Sequence, residues 1–134
     1  MAVSFADIAV GSTYSRNDLV RLWEHVGVEA ISRGVVTPQE DNKIILFVTL
    51  DKHPSARPYE DETVGPVLLW EGPNDHLAED RMLAHQETGD EVHLFYRQRP
   101  WDDFTYAGQL VLYCCQRFPD RPSWFVFRIC CEAV

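Results

Sequence analysis

The 134-residue sequence has only two lysines against ten arginines, and no apolar run approaches the roughly 18 residues that a membrane-spanning helix needs. Met1 to Val10 is mildly apolar but carries Asp7 and no basic stretch, so it does not read as a secretion signal. Repeats, linkers and low-complexity tracts are lacking, and the length fits one domain over residues 1–134. Motifs that carry chemistry are equally scarce. No phosphate-cradling loop, nucleophile elbow or spaced metal-ligand motif occurs. The five histidines, His25, His53, His76, His85 and His93, are scattered. His76 and His85 stand nine residues apart, which does not place them on one helix face. Asp75, His76 and Asp80 could imitate an acid/base cluster, but carboxylates on a short exposed helix usually serve solvation. The expectation is a soluble, cytoplasmic chain that binds rather than catalyses, without cofactor or metal.

Cysteine occurs as two adjacent pairs, Cys114-Cys115 and Cys130-Cys131. Neighbours on a strand point to opposite faces, so one of each pair should face the core. Without the two-residue spacers of a zinc site, reduced thiols acting as small apolar residues are expected.

Basic charge is also in short supply. A net charge of −9 argues against unspecific affinity for phosphate backbones. Between Glu60 and Glu91 there are ten acidic residues and one basic residue, Arg81; outside that window acids and bases balance at eleven each. The acidic window suits a protein-interaction module. The arginine bias suits phosphate contacts and stacking, provided that the basic residues gather on a local patch.

What is present points to a β-rich domain. Ser15 and Asp18 have the spacing of a capping box before a helix over Arg16 to Val26, with Leu19, Leu22, Trp23 and Val26 as its apolar stripe and Gly27 as its stop. Strands are expected at Ile31–Val36, Lys43–Leu50, Val67–Trp70, Glu91–Arg97 and Ser123–Cys131, with two portions around Gly108 between Phe104 and Phe118. The run KIILFVTL is apolar on both faces, as a central strand should be. Asp51 to Gly65 reads as a loop, and Asn74 or Asp75 as the cap of a short helix over Leu77 to His85. Strand following strand predicts an α+β class: a curved, mostly antiparallel sheet or small β-barrel with two flanking helices.

The aromatic residues carry the functional signal. Tyr59 sits in a polar loop, and Trp70 closes a strand beside Glu71-Gly72-Pro73-Asn74-Asp75. Aromatic planes next to hydrogen-bond acceptors are what a flipped base requires; the alternative is that both rings cover one end of the core. The run Tyr59-Glu60-Asp61-Glu62, Gly65, Trp70-Glu71-Gly72 resembles the pocket of SRA (SET- and RING-associated) domains, members of a PUA-like superfamily that flip 5-methylcytosine out of duplex DNA. Tryptophan replaces that family's second tyrosine, and the spacing is one residue shorter, so Asp61 and Glu62 both remain candidates for the edge-reading carboxylate. A second, longer series is similar to the C-terminal module of type IV modification-dependent restriction helicases. It runs through Gly11-Ser12-Thr13-Tyr14-Ser15-Arg16, Tyr59-x-Asp61, Leu68 to Asn74, Val92 to Arg97 and Phe104 to Gly108.

The resemblance implies a modified-DNA reader. Tyr59 and Trp70 would sandwich a modified cytosine, and Asp61 would accept from its exocyclic amine, with Asn74 or Asp75 as alternative edge readers. Tyr96 and Tyr106 would line the pocket. Arg16, Arg33, Arg97 and Arg99 would contact phosphates. A nuclease or helicase partner is the further expectation. The rival readings are an RNA or small-nucleotide reader on the same scaffold, and the acidic protein-interaction module.

Overall fold

Ser15 and Asp18 close the capping box that their spacing predicts. The Ser15 hydroxyl accepts from the Asp18 amide at 3.0 Å, and the Ser15 amide donates to the Asp18 carboxylate at 3.0 Å. These bonds also hold the Asp18 carboxyl below its ordinary value. In the computed structural model, which describes residues 5–23, 34–38, 42–50, 62–64, 67–72 and 76–130 (residues 62–64 and 130 by backbone only), the helix α1 spans Arg16–Leu22. Leu19 is fully buried, as expected of the stripe. Leu22 instead points outward, 43% exposed, because Trp23 leaves helical geometry at the C-cap (φ −116°, ψ 73°) and is itself buried. Val26 and Gly27 lie outside the described residues.

The strands are β1 (Thr13–Tyr14), β2 (Val35–Val36), β3 (Lys43–Thr49), β4 (Glu62–Val64), β5 (Val67–Glu71), β6 (Glu91–Arg97), β7 (Phe104–Gln116) and β8 (Trp124–Cys130). A second helix, α2 (Glu79–Thr88), precedes β6. The sheet runs in the order β2-β3-β6-β7-β8-β5-β4, with β1 paired to β7 at its side. Among the described residues its ends, β2 and β4, do not pair, so the sheet is open rather than a closed barrel. All pairings are antiparallel except β3 with β6, which run parallel from Lys43↔Glu91 to Thr49↔Arg97. That parallel pair, flanked by β2 and β7, explains the continuous apolar run of β3, whose residues Ile44–Val48 are all buried.

Apolar side chains cover both faces of the sheet. On one, Leu19 and Trp23 pack with Ile45, Phe47, Phe95, Phe104 and Tyr106. On the other, Met82 of α2 packs with Ile44, Leu46, Leu68, Trp70, Leu94, Phe125 and Phe127. No helix among the described residues is long and apolar enough to cross a membrane.

Three local expectations are corrected. Glu62–Val64, expected to be loop, forms β4, which pairs antiparallel with β5 from Glu62↔Leu69 to Val64↔Val67. The chain from Phe104 to Gln116 is one strand, and the interruption expected at Gly108 is absorbed as an irregularity within it. The second helix starts at Glu79 behind Ala78, a left-handed residue (φ 64°) that gives no side-chain cap, so Asn74 and Asp75 are too far upstream to cap it. Cys114 is exposed and Cys115 half-buried against the second cluster, the expected alternation; Cys131 and the Cys130 side chain lie outside the described residues.

Candidate nucleic-acid interface

The β6–β7 pairing slips where the sequence places Gly108. Leu94 pairs with Gly108 and Phe95 with Tyr106, so Ala107 is an extra residue in β7. Such a bulge bends the strand and re-aims its side chains. Gly108 has φ +117°, which an L side chain rarely adopts, and so only glycine fits without strain. The segment before β1 is tied to this bend: the Gly11 amide donates to the Tyr106 carbonyl at 2.8 Å and the Tyr106 amide to the Ser12 carbonyl at 3.1 Å. The result is a cleft of about 240 Å³ lined by Val10, Gly11, Tyr96, Thr105, Tyr106, Ala107 and Ile129. Tyr96 and Tyr106, both expected to line a pocket, are thus brought together.

Tyr106 is not free to read a ligand with its hydroxyl. It is 6% exposed, and its oxygen lies 2.7 Å from His93 Nδ1, whose Nε2 lies 2.9 Å from Glu91. Burial, and then the Glu91 charge, push the Tyr106 pKa up to about 12, so the phenol keeps its proton and the tautomer that fits has Nδ1 accepting it. Phe5 stacks flat on the His93 ring at 3.8 Å. The network is a buried polar brace beneath the cleft.

At the other end of β6 the arginines converge. The Arg97 guanidinium lies 4.4 Å from the centre of the Phe104 ring, and that of Arg16 lies 6.0 Å from the same ring. Arg97 also donates to Thr49 Oγ1 at 2.8 Å and weakly to the Asp102 carbonyl at 3.5 Å. Burial, followed by the Arg16 charge, lowers the Arg97 pKa, with Asp102 opposing, yet a guanidinium stays charged at neutral pH. Among the described residues no carboxylate pairs with either arginine, and Arg16 Nε is buried without a hydrogen-bond partner. An anionic oxygen beside the two guanidiniums would offset the repulsion between the two cations. Arg99 stands on the adjoining loop with its guanidinium 5.9 Å from the Trp101 ring.

Trp70 is placed differently from an open stacking plane. It is 5% exposed, with Phe125 at 5.3 Å and Phe127 at 6.2 Å between ring centres. Gly72 allows this packing: a Cβ there would come within 3.1 Å of the Phe125 ring, while the Gly72 amide bonds the Ser123 carbonyl at 2.9 Å. In this arrangement Trp70 is a core residue, because Phe125 and Phe127 occupy the space beside its ring. Tyr59, Asp61, Asn74, Asp75 and Arg33 lie outside the described residues.

No protein-family model and no curated protein matches the chain. Solved structures do. The SRA domain of SUVH5 in complex with hemimethylated CG DNA matches with a TM-score of 0.63 at 12% identity, covering 96% of this chain and 93% of that one. This chain has an SRA-like fold. A second structure of the SUVH5 SRA domain, with fully methylated CG DNA, matches with a TM-score of 0.62 at 13% identity over the same shares. The DNA modification-dependent restriction endonuclease AspBHI matches with a TM-score of 0.56 at 12% identity, covering 99% of this chain and 81% of that chain.

One cluster in the SRA-like domain was not legible in sequence. Glu79, 4% exposed, receives Arg117 Nε at 2.7 Å and lies 2.8 Å from His76 Nδ1. Burial alone would raise its pKa, but the bonds from His76, Ser123 and Arg117 outweigh it and hold the carboxylate low. Arg117 also reaches Asp80 at 3.1 Å, Arg81 pairs with Asp90 at 3.2 Å, and Lys43 lies 3.6 Å from Glu91. Glu79, Asp80, Asp90 and Glu91 of the acidic window are therefore matched within the domain, Asp80 as an ion-pair partner of Arg117.

Proposed function

We propose that this SRA-like domain binds duplex DNA carrying a modified base, a modified cytosine above all, and turns that base into an aromatic pocket. The observation that carries the reading is the pair of guanidiniums over Phe104. In an acidic chain, Arg16 and Arg97 crowd together with no carboxylate partner among the described residues. A phosphate oxygen placed against the two guanidiniums supplies the missing negative charge. The fold supports the same reading, since both SUVH5 structures are complexes with methylated DNA.

Arg16, Arg97, Arg99 and Arg33 position the backbone, and the pocket reads the base. The segment bearing Tyr59 and Asp61 enters β4 at Glu62, which pairs with Leu69 beside Trp70. Tyr59 supplies the stacking plane there, and Asp61 accepts from the exocyclic amine, with Asn74 or Asp75 as further edge readers. Trp70 backs that pocket from the core rather than closing on the base as a free ring. A nuclease or helicase partner works with the domain, in keeping with a restriction-modification role in the cytoplasm. The protein-interaction reading loses support because Glu79, Asp80, Asp90 and Glu91 already have partners.

The test is a binding panel of duplex and single-stranded oligonucleotides carrying different cytosine and adenine modifications. Preferential binding of a modified duplex is expected. Equal binding of modified and unmodified duplexes would remove the modified-base reading, and a preference for single strands over duplexes would favour the RNA or small-nucleotide reader in its place.

A further inference from the structure

A cavity of about 320 Å³ lies between the loop before α2 and the turn after β7, lined by His76, Glu79, Arg117, Phe118 and Pro119. That volume is enough for a small molecule, and none of these residues is assigned above to base or phosphate. The loop is held in a costly shape. His76 and Ala78 have φ of 58° and 64°, the two positive values at non-glycine residues among the described ones. Such backbone persists only where its surroundings enforce it, and it gathers at ligand sites. Here the Glu79 amide donates to the His76 carbonyl at 3.2 Å and the Met82 amide to the Ala78 carbonyl at 2.9 Å.

The polar groups of the cavity are oriented as well. The buried, ionised Glu79 carboxylate can only accept, so the His76 nitrogen 2.8 Å away, Nδ1, carries the proton. In the neutral ring Nε2 then holds a lone pair, and it has no partner among the described residues. Arg117 gives Nε to Glu79 and Nη2 to Asp80, which fixes its plane and leaves Nη1 as a donor. Phe118 supplies an apolar wall, steadied by the Arg121 guanidinium 4.0 Å from its ring centre and by a bond from its amide to Ser123 Oγ at 3.4 Å. An anion suits this site poorly, because Glu79 and Asp80 already offset Arg117 and the Nε2 lone pair repels an acceptor oxygen. A neutral flat heterocycle suits it well: its donor meets Nε2, its neighbouring acceptor meets Arg117, and its face meets Phe118.

We propose that this cavity is a second ligand site, which takes the neutral base of a free nucleoside. His76 accepts from the amino group of the base, Arg117 donates to the adjoining ring nitrogen, and Phe118 stacks on the ring. The site is independent of the duplex interface built around Arg16 and Arg97.

The test titrates the full chain with adenosine and with purine riboside, which lacks the amino group but keeps the ring nitrogen, by calorimetry and by NMR of the histidine rings. Adenosine should bind saturably and shift the His76 ring protons, and purine riboside should bind about 2- to 10-fold more weakly. His76→Asn removes Nε2 while asparagine tolerates the left-handed backbone, and Glu79 keeps Arg117 and Ser123. That variant should melt like the parent, lose adenosine binding and bind duplex DNA unchanged. Absence of saturable adenosine binding, equal affinity for purine riboside, or parental adenosine affinity in a folded His76→Asn would each overturn the site. If His76→Asn does not fold, the ratio of the two nucleosides on the parent decides. A single-stranded deoxyadenosine oligonucleotide that displaces adenosine would overturn the choice of a free nucleoside.

Discussion

Replacing Trp70 with alanine separates two roles that its sequence position leaves open. In the structure the indole fills the second apolar cluster against Phe125 and Phe127 and is almost wholly buried. Truncating a buried tryptophan of this kind costs about 3–5 kcal/mol. A small domain has only about 5–15 kcal/mol in total, so the variant should be folded but marginal, or unfolded. With a urea slope of about 1–3 kcal/mol/M, the unfolding midpoint should drop by at least about 1 M. Trp70→Phe keeps a ring in the cluster and should lose less, on the order of 1–2 kcal/mol. Urea unfolding followed by far-ultraviolet circular dichroism measures both. The reasoning is refuted if Trp70→Ala stays within about 0.5 kcal/mol of the parent yet loses its preference for modified DNA. The ring would then be a stacking plane and not core.

Other consequences follow from particular bonds. Arg97→Ala should weaken binding to all duplexes and flatten the slope of log K against log salt by about 0.9, read by anisotropy titrations at several salt concentrations. Asp61→Asn exchanges an acceptor oxygen for a donor and should erase preference for an amine-bearing modified base while leaving unspecific binding nearly unchanged; unchanged preference would remove Asp61 from the site. His85 Nε2 accepts the Leu112 amide at 3.1 Å, and burial lowers its pKa, with Asp90 opposing. A depressed histidine contributes stability that is full above its ordinary value of 6.5 and is lost as pH falls through its lower folded value. Melting temperature should therefore fall between about pH 7 and pH 5, and His85→Gln should flatten that fall. Gly108→Ala forces a side chain into φ +117° and should destabilise the domain by roughly 1–3 kcal/mol in thermal or urea unfolding.

Local signals were the legible ones. The capping box reflects an interaction within a few residues, and the doubly apolar run of β3 carries its burial on both faces in its own composition; both appear as the sequence predicts. The interruption at Gly108 was visible, but its form was not: a glycine in a strand pattern reads alike as a break or a bulge until its partner strand is known. Trp70-Glu71-Gly72 could not reveal its packing, because the rings that cover it come from β8, far along the chain. The joining of Arg16 to Arg97 over Phe104 depends on β1 pairing with β7, which a two-residue strand does not advertise. The ion pairs of Arg117 depend likewise on where the end of β7 meets α2.

The central claim is that the domain distinguishes a modified base within duplex DNA. The measurement that reaches it most directly is the ratio of dissociation constants for two duplexes of one sequence, one with a single 5-methylcytosine and one without, at fixed salt. The account predicts tighter binding of the modified duplex, with a ratio that persists as salt rises because phosphate contacts are common to both. A ratio of one at every salt concentration, with the domain folded and binding, contradicts it.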